Sequence, residues 1–447
     1  MIRSDWGEFK IEDVIYNLFD GPHATPKPSN TGPIFLGIKN ISEDNRIDLS
    51  NVKHIAEEDF PKWTKRVLPQ KDDLVFIYEA TLGRYALIPE NLVCCLGRRM
   101  ALLRLKTDKV IPRFLLYYFN SAEWNQIINR NLIVGATVNR IPIGEFPKFE
   151  IKLPSLSSQK SIAKVLSDLD AKIELNNKIN AELEAMAKLI YDYWFVQFDF
   201  PDENGKPYKS SGGKMVYNEE LKRQIPEGWE VDIIGNVLQT DLGGTPSTKV
   251  EEYWDGEIPW LNSGEIANFP IIDSELKVGK AGISNSAATL MPKGTCVLSI
   301  TRHLRPSILG VDSCANQSVV GLFESDKLQS SYIYPYLVNE IPRLMSLRTG
   351  AQQPHINKGI VDASFIVTPS DQIIEKYYKL VDSKYKKIIN NAFQNQKLAE
   401  LRDWLLPMLM NGQVRVGGTV EKSISQKEQL NMAAEPQASY GDRGEQG

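Results

Sequence analysis

The chain has 447 residues, 42% of them apolar and 24% charged, and a formal net charge of -4. At ~100 to 200 residues per domain, that length allows two to four separate cores, and the acidic balance alone excludes a polybasic chain. The opening MIRSDWGEFK lacks an apolar export core and no run of ~18 uncharged apolar residues occurs, so the sequence predicts a cytoplasmic chain without a membrane partner.

In chain order, residues 1–154 read as a mixed α/β domain. Short β-rich runs (Ile34 to Ile38, Leu74 to Tyr78, Met100 to Leu105, Phe149 to Leu153) are separated by Gly, Pro and Asn turns, and helical spacing covers Pro112 to Arg130. The aromatic residues of that helix are expected in the core. Residues 155–198 predict one long helix, with Ser157 as its N-cap. At ~1.5 Å per residue it spans about 60 Å, too long to fold back into one small domain. Residues 199–228 have the Pro, Gly, Lys and Ser texture of a linker; 229–369 restart the first pattern; 370–410 predict a second long helix; and the composition of 411–447 predicts a disordered tail.

The second half repeats the first. Ile162, Leu166, Leu169, Ile173, Asn176, Asn180, Leu183, Ala187, Ile190 and Trp194 alternate at spacings of four and three, and adding 215 to each gives Tyr377, Val381, Lys384, Ile388, Asn391, Asn395, Leu398, Arg402, Leu405 and Leu409. This is the seam of a coiled coil, with Asn176, Asn180, Asn391 and Asn395 placed to fix its alignment. Upstream, Trp6 and Val14 match Trp229 and Val237, Phe35-Leu36 matches Trp260-Leu261, and Gly135-Ala136 matches Gly350-Ala351, at offsets that drift from 223 through 225 to 215. Tandem duplication with small loop insertions leaves such a drift.

Charge is unevenly placed. Asn91–Thr107, Trp124–Gly144, Lys280–Val311 and Pro342–Val361 contain Arg, Lys or His but no carboxylate, two windows in each half. Basic loops in both halves fit a polyanion better than the net charge does. Catalytic signals are weak. There is no G-x-x-x-x-G-K-[ST] loop for ATP, no G-x-G, and no Pro-Pro dipeptide of the kind amino-methyltransferases use. Asp255 with Glu275 and Lys277 forms a degenerate Mg²⁺-nuclease pattern without a counterpart in the first half. Cys94, Cys95, Cys296 and Cys314 lack metal or disulfide spacing and predict buried thiols, and the four histidines form no metal pair.

Gly244-Thr245-Pro246-Ser247, Tyr253-Trp254-Asp255-Gly256-Glu257-Ile258-Pro259-Trp260-Leu261, Gly350-Ala351-Gln352-Gln353-Pro354-His355-Ile356 and the proline-led long helix that follows resemble the specificity subunit of a type I restriction-modification enzyme. The first half resembles another version of the same module, through Asp20-Gly21-Pro22-His23-Ala24-Thr25-Pro26, Gly32-Pro33-Ile34-Phe35-Leu36-Gly37 and the Leu153-Pro154, Gln159-Lys160 opening of its helix, but lacks the G-T-P-S and Y-W strings. The resemblance implies an α+β fold: two repeated target recognition domains separated by two long antiparallel coiled-coil helices in a pseudo-twofold arrangement. It implies a non-catalytic chain that reads a bipartite site on double-stranded DNA and docks two modification (methyltransferase) subunits, joined by restriction (translocase/nuclease) subunits. S-adenosylmethionine, ATP and Mg would belong to those partners, with no metal or cofactor in this chain. From side-chain chemistry and loop position, the expected DNA-binding residues are Thr137, Asn139, Arg140, Thr245, Ser247, Arg302, Gln352, Gln353, His355 and Lys358. A Mg-dependent nuclease and a coiled-coil adaptor that binds only proteins remain as alternatives.

Overall fold

A computed structural model describes residues 6–135, 138–350, 352 and 354–416. The chain forms two compact units, Met1–Leu169 with Leu401–Gly447, and Asp170–Glu400.

In the first unit, β1 (Gly7–Lys10) pairs antiparallel with β9 (Glu150–Leu153), so the two ends of the domain meet. Between them, β2 (Ile15–Asp20), β5 (Leu74–Ile77), β6 (Tyr85–Leu87) and β8 (Met100–Leu105) form an antiparallel sheet in the order β2-β8-β5-β6. A second sheet has the order β4-β3-β7, built from β3 (Ser29–Leu36), β4 (Lys53–His54) and β7 (Cys94–Leu96), with β3 and β7 parallel. All four residues of β5 are buried, because both of its faces are covered. Leu74 and Phe76 pack with Phe114, Leu115 and Trp124, whereas Val75 and Ile77 pack with Leu36, Ile41 and Cys94. A strand between two cores reads as a continuous apolar run rather than an alternation.

The helical stretch expected over Pro112 to Arg130 is two helices, Pro112–Tyr118 and Ala122–Asn131. Ser121 breaks it by capping: its Oγ accepts from Trp124 N–H at 3.2 Å. The aromatic residues here are core. Phe119 stacks on Trp124 with centroids 4.1 Å apart, and Trp124 Nε1–H donates to Tyr85 Oη at 2.9 Å.

The second unit repeats this topology strand for strand. It opens with a hairpin, β10 (Met215–Asn218) and β11 (Arg223–Pro226), which has no counterpart among the described residues of the first. Then β12 (Glu230–Ile233) and β20 (Phe365–Thr368) pair as β1 and β9 do. The order β13-β19-β16-β17, from β13 (Thr240–Leu242), β16 (Cys296–Ser299), β17 (Arg305–Ile308) and β19 (Val319–Leu322), matches the four-stranded sheet. The order β15-β14-β18, from β14 (Ile258–Leu261), β15 (Leu276–Val278) and β18 (Cys314–Ala315), matches the other, with β14 and β18 again parallel. All four cysteines are buried and free, and burial pushes the Cys94 thiol up to about 12.

Residues 199–228, read from composition as a linker, are folded. Asp199 accepts from Ser210 N–H and Oγ–H at 2.7 Å each, and Phe200 stacks between Tyr208 and Trp229 at 4.6 and 5.0 Å. Its few aromatic residues supply the packing that its average composition hides.

The first long helix runs Leu156–Tyr191 and continues as a π-helical turn, Asp192–Val196. Its cap is Ser155 rather than Ser157, with Ser155 Oγ accepting from Ser158 N–H at 3.3 Å. The second long helix is Asp371–Met410. Every residue of the four-three seam on both helices is buried or half-buried. In the first unit, Ile162 and Leu166 share a core with Leu409 and Met410. In the second, Asn176 Nδ2 donates to Asn395 Oδ1 and Gln394 Oε1 at 2.8 Å, and Asn391 Nδ2 donates to Asn180 Oδ1 at 2.7 Å. The first helix's residue number rises as its partner's falls, so the helices are antiparallel. The tail expected over 411–447 is described only to Val416, where Val414 and Val416 pack against the first core; residues 417–447 lie outside the described residues.

Candidate nucleic-acid interface

Each domain presents one finger-like loop, built the same way. In the first, Ile133 and Arg140 exchange backbone hydrogen bonds at 3.0 and 3.1 Å, and the next residue, Ile141, donates to Tyr78 O at 2.8 Å. In the second, Thr349 and His355 exchange bonds at 2.9 Å each, and Ile356 donates to Ile300 O at 3.0 Å. Single β-bridges, Glu79 to Arg140 and Thr301 to His355, anchor each finger to the end of β5 or β16. The tip of the first is closed by Gly135, where a Cβ would lie 2.4 Å from Val138 O, and that of the second turns at Gly350 with φ +97. Only glycine accepts these positions at low cost. Both fingers fall inside acid-free windows of the sequence.

Of the residues expected to touch DNA, Asn139 and Arg140 lie exposed on the first finger, and Gln352 and His355 lie exposed on the second. Arg302 joins the second group: its N–H donates to Pro354 O at 2.9 Å, its φ is +54, and its carbonyl accepts from Arg348 Nη1 at 2.9 Å. Thr137 and Gln353 lie outside the described residues. Thr245 and Ser247 are exposed on a separate loop, wedged in by Gly244, whose Cβ would lie 2.1 Å from Ala287 O. There Thr245 Oγ1 donates to Gln317 Oε1 at 2.7 Å, and Trp260 Nε1 donates to Gly244 O at 3.0 Å. Lys358 has a partner within the fold: its Nζ is 2.7 Å from Asp362 Oδ2, and Asp362 Oδ1 accepts from Thr240 Oγ1 at 2.6 Å.

The anchors Tyr78, Glu79, Ile300 and Thr301 escaped the sequence reading, although Tyr78 and Ile300 are 222 apart and sit in the repeat. Burial first, then the Asp20 carboxylate, holds the Tyr78 phenol well above its ordinary range, so it stays neutral.

The nuclease pattern is not assembled: β14 and β15 pair with Trp260 opposite Leu276 and Ile258 opposite Val278, which sets Glu275 and Asp255 at opposite ends of the strand pair. Lys277 Nζ pairs with Asp273 Oδ1 at 3.0 Å, and Glu275 N–H donates to Glu265 Oε1 at 2.9 Å. Among the described residues, no group of three or more His, Cys, Asp or Glu is placed to hold a metal ion, and no helix is long and apolar enough to cross a membrane.

Residues 3–185 and 226–401 match the family described as type I restriction modification DNA specificity domain. The chain is 27% identical over 444 residues to the type I restriction enzyme MjaIX specificity subunit of Methanocaldococcus jannaschii, covering 93% of this chain and 95% of that one. It is 23% identical over 472 residues to the HindI specificity subunit of Haemophilus influenzae, covering 92% of this chain and all of that one (100%). Its fold resembles the crystal structure of the type I restriction-modification system S subunit from M. genitalium, with a TM-score of 0.57 at 16% identity over 91% of this chain and 96% of that one. Neither the nuclease nor the protein-only adaptor finds support in these relatives. Two matched domains, two antiparallel helices and a family match that spans both halves lead to one conclusion: the chain belongs to the type I restriction-modification DNA specificity family, as a non-catalytic specificity subunit that recognises DNA.

Proposed function

We propose that the two domains each read one half of a split site on double-stranded DNA, and that the paired fingers carry the base contacts. One observation supports this most: two domains of the same topology hold out a finger at the same point by the same backbone bonds, yet arm it with different side chains, Asn139 and Arg140 against Gln352, His355 and Arg302. Equal scaffolds with unequal tips are what two different half-sites require. An Arg fork suits the O6 and N7 acceptors of guanine, and a Gln amide suits the N6 and N7 edge of adenine. Thr137 and Gln353 also contact bases in this reading, while Thr245 and Ser247 contact the duplex from the neighbouring loop.

The long helices, in the same proposal, dock two modification subunits, with restriction subunits joining the assembly in the cytoplasm. Leu175, Met186 and Leu189 support it. They lie off the seam, share one face by their spacing of 11 and 3, and are 50, 50 and 68% exposed. An apolar row that neither core uses suits a partner surface. S-adenosylmethionine, ATP and Mg are then bound by those partners.

The test is an exchange of Thr240–Pro369 for the matching block of a relative, followed by mapping of the methylated sites. One half-site changes and the other stays if each domain reads alone. A simultaneous change of both halves overturns the proposal.

A further inference from the structure

The first domain contains a cleft of about 520 Å³ at the carboxyl ends of its two parallel strands, β3 and β7. The loops that leave these strands emerge side by side, because Gly97 lies against the other backbone: a Cβ there would sit 2.4 Å from Leu36 O. Asn40 fixes one wall. Its Oδ1 accepts from Gly37 N–H at 3.0 Å, and its Nδ2 donates to Asp48 O and Asn51 O at 3.0 and 3.1 Å. Phe35, set edge-on against Trp63, lines the interior.

Four cations stand around this cleft: Lys39, Lys53, Arg98 and Arg99. Arg99 Nε is held by Glu79 Oε1 at 3.0 Å, whereas Lys39, Lys53 and Arg98 have no ion-pair partner among the described residues. One carboxylate, Asp48, shares the lining, and its Oδ1 is engaged by Ser50 N–H at 2.8 Å. Gathering like charges around a concave wall is unfavourable unless an anion enters, since each cation raises the energy of the others.

The second domain gives the comparison. Strand register makes Phe35 equivalent to Trp260, Lys53 to Leu276, and Leu36 with Leu96 equivalent to Leu261 with Ala315. Counting on from these pairs, Lys39 corresponds to Gly264, Arg98 to Gln317 and Arg99 to Ser318. All four cations are therefore replaced by uncharged residues on the same scaffold. The cationic cleft also adjoins the finger of its own domain, because Glu79 pairs with Arg99 through its side chain and bridges Arg140 through its backbone.

We infer that this cleft grips backbone phosphates of the DNA beside the first half-site, with Lys39, Lys53 and Arg98 as the contacts, and that the second domain lacks the equivalent grip. The inference rests on the DNA-reading proposal above. Phosphates bound by one domain set the position of the duplex, so the other can rely on base contacts. Arg99, tied to Glu79, connects the grip to the finger.

The test measures affinity of the full chain for a duplex carrying its mapped site, across a salt series. Each phosphate contact contributes a slope of ~0.9 in log K against log salt. Lys39→Ala with Lys53→Ala and Arg98→Ala flattens the slope by about 2 to 3 and weakens all single-base variants of the site alike. Lys53→Gln alone flattens it by about 1, which keeps the test open if the triple variant does not fold. Gln317→Arg, in the second domain, steepens it by about 1. An unchanged slope in a folded triple variant, or a loss confined to particular base pairs, overturns the phosphate grip. If the wild-type chain does not distinguish its mapped site from other duplexes, the DNA-reading proposal itself fails.

Discussion

Asn391 Nδ2 donates to Asn180 Oδ1 at 2.7 Å, and one turn along the first long helix Asn176 Nδ2 donates to Asn395 Oδ1 at 2.8 Å. The four asparagines form two antiparallel cross-helix pairs in a seam that is otherwise mostly apolar. A leucine pair in those places would pack in several alignments, whereas a buried amide is satisfied in only one. Asn176 and Asn391 are each 1% exposed, so water does not replace a lost partner.

Asn391→Ala should therefore destabilise the second unit by ~1 to 3 kcal/mol, since it leaves the Asn180 amide without its donor. Asn180→Leu combined with Asn391→Leu should recover that loss, because the polar pair is removed together. Urea unfolding of the two variants measures the difference. Equal destabilisation by both would mean that shape, and not hydrogen bonding, governs this point of the seam.

Arg140→Ala and Gln352→Ala are expected to relax base discrimination by ~1 to 3 kcal/mol, each at positions in one half-site only. Affinities for a complete set of single-base variants of the mapped site provide the check. A loss spread evenly over all variants would assign these side chains to phosphates.

Lys358→Ala should leave the salt dependence of DNA binding unchanged, because the ammonium is paired with Asp362 at 2.7 Å. Its cost is in stability, ~1 kcal/mol or less for a partly exposed pair. A salt series on the purified variant would expose an error here as a slope flattened by about 1.

Gly97→Ala should destabilise the first domain by ~1 to 3 kcal/mol, since the added Cβ would lie 2.4 Å from a backbone oxygen and force β3 and β7 apart. Gly144→Ala, at a position with nothing within 4 Å, serves as the neutral comparison. Thermal unfolding of the two distinguishes close packing from a general intolerance of substitution at glycine.

The sequence alone determined what is periodic or repeated. The four-three seam is legible because a long helix shows its buried stripe at fixed intervals, and Asn176 with Asn391 and Asn180 with Asn395 repeat at an offset of 215. Strands β3, β5, β8 and β9 are legible for a similar reason, as short apolar runs between turn residues. The fingers were partly legible, since their glycines and polar tips repeat, but the anchors Tyr78 and Thr301 join them through backbone bonds that side-chain identity does not encode.

Tertiary structure decided what forms between segments distant in sequence. Lys358 looks like a free basic residue in an acid-free window, but Asp362, four residues on in the same helical turn, meets its ammonium, a local pairing that helical spacing alone makes. Lys39, Lys53 and Arg98 are separated by loops and strands in sequence, and the pairing of β3 with β7 on one side and with β4 on the other sets them around one cleft. Residues 199–228 fold because Phe200, Tyr208 and Trp229 find one another, although Pro, Gly and Ser dominate the local composition. Local patterns fix helices and strands because the chain's own geometry sets the period. Concave sites and the charge clusters that line them arise between segments distant in sequence, where the chain carries no period to read.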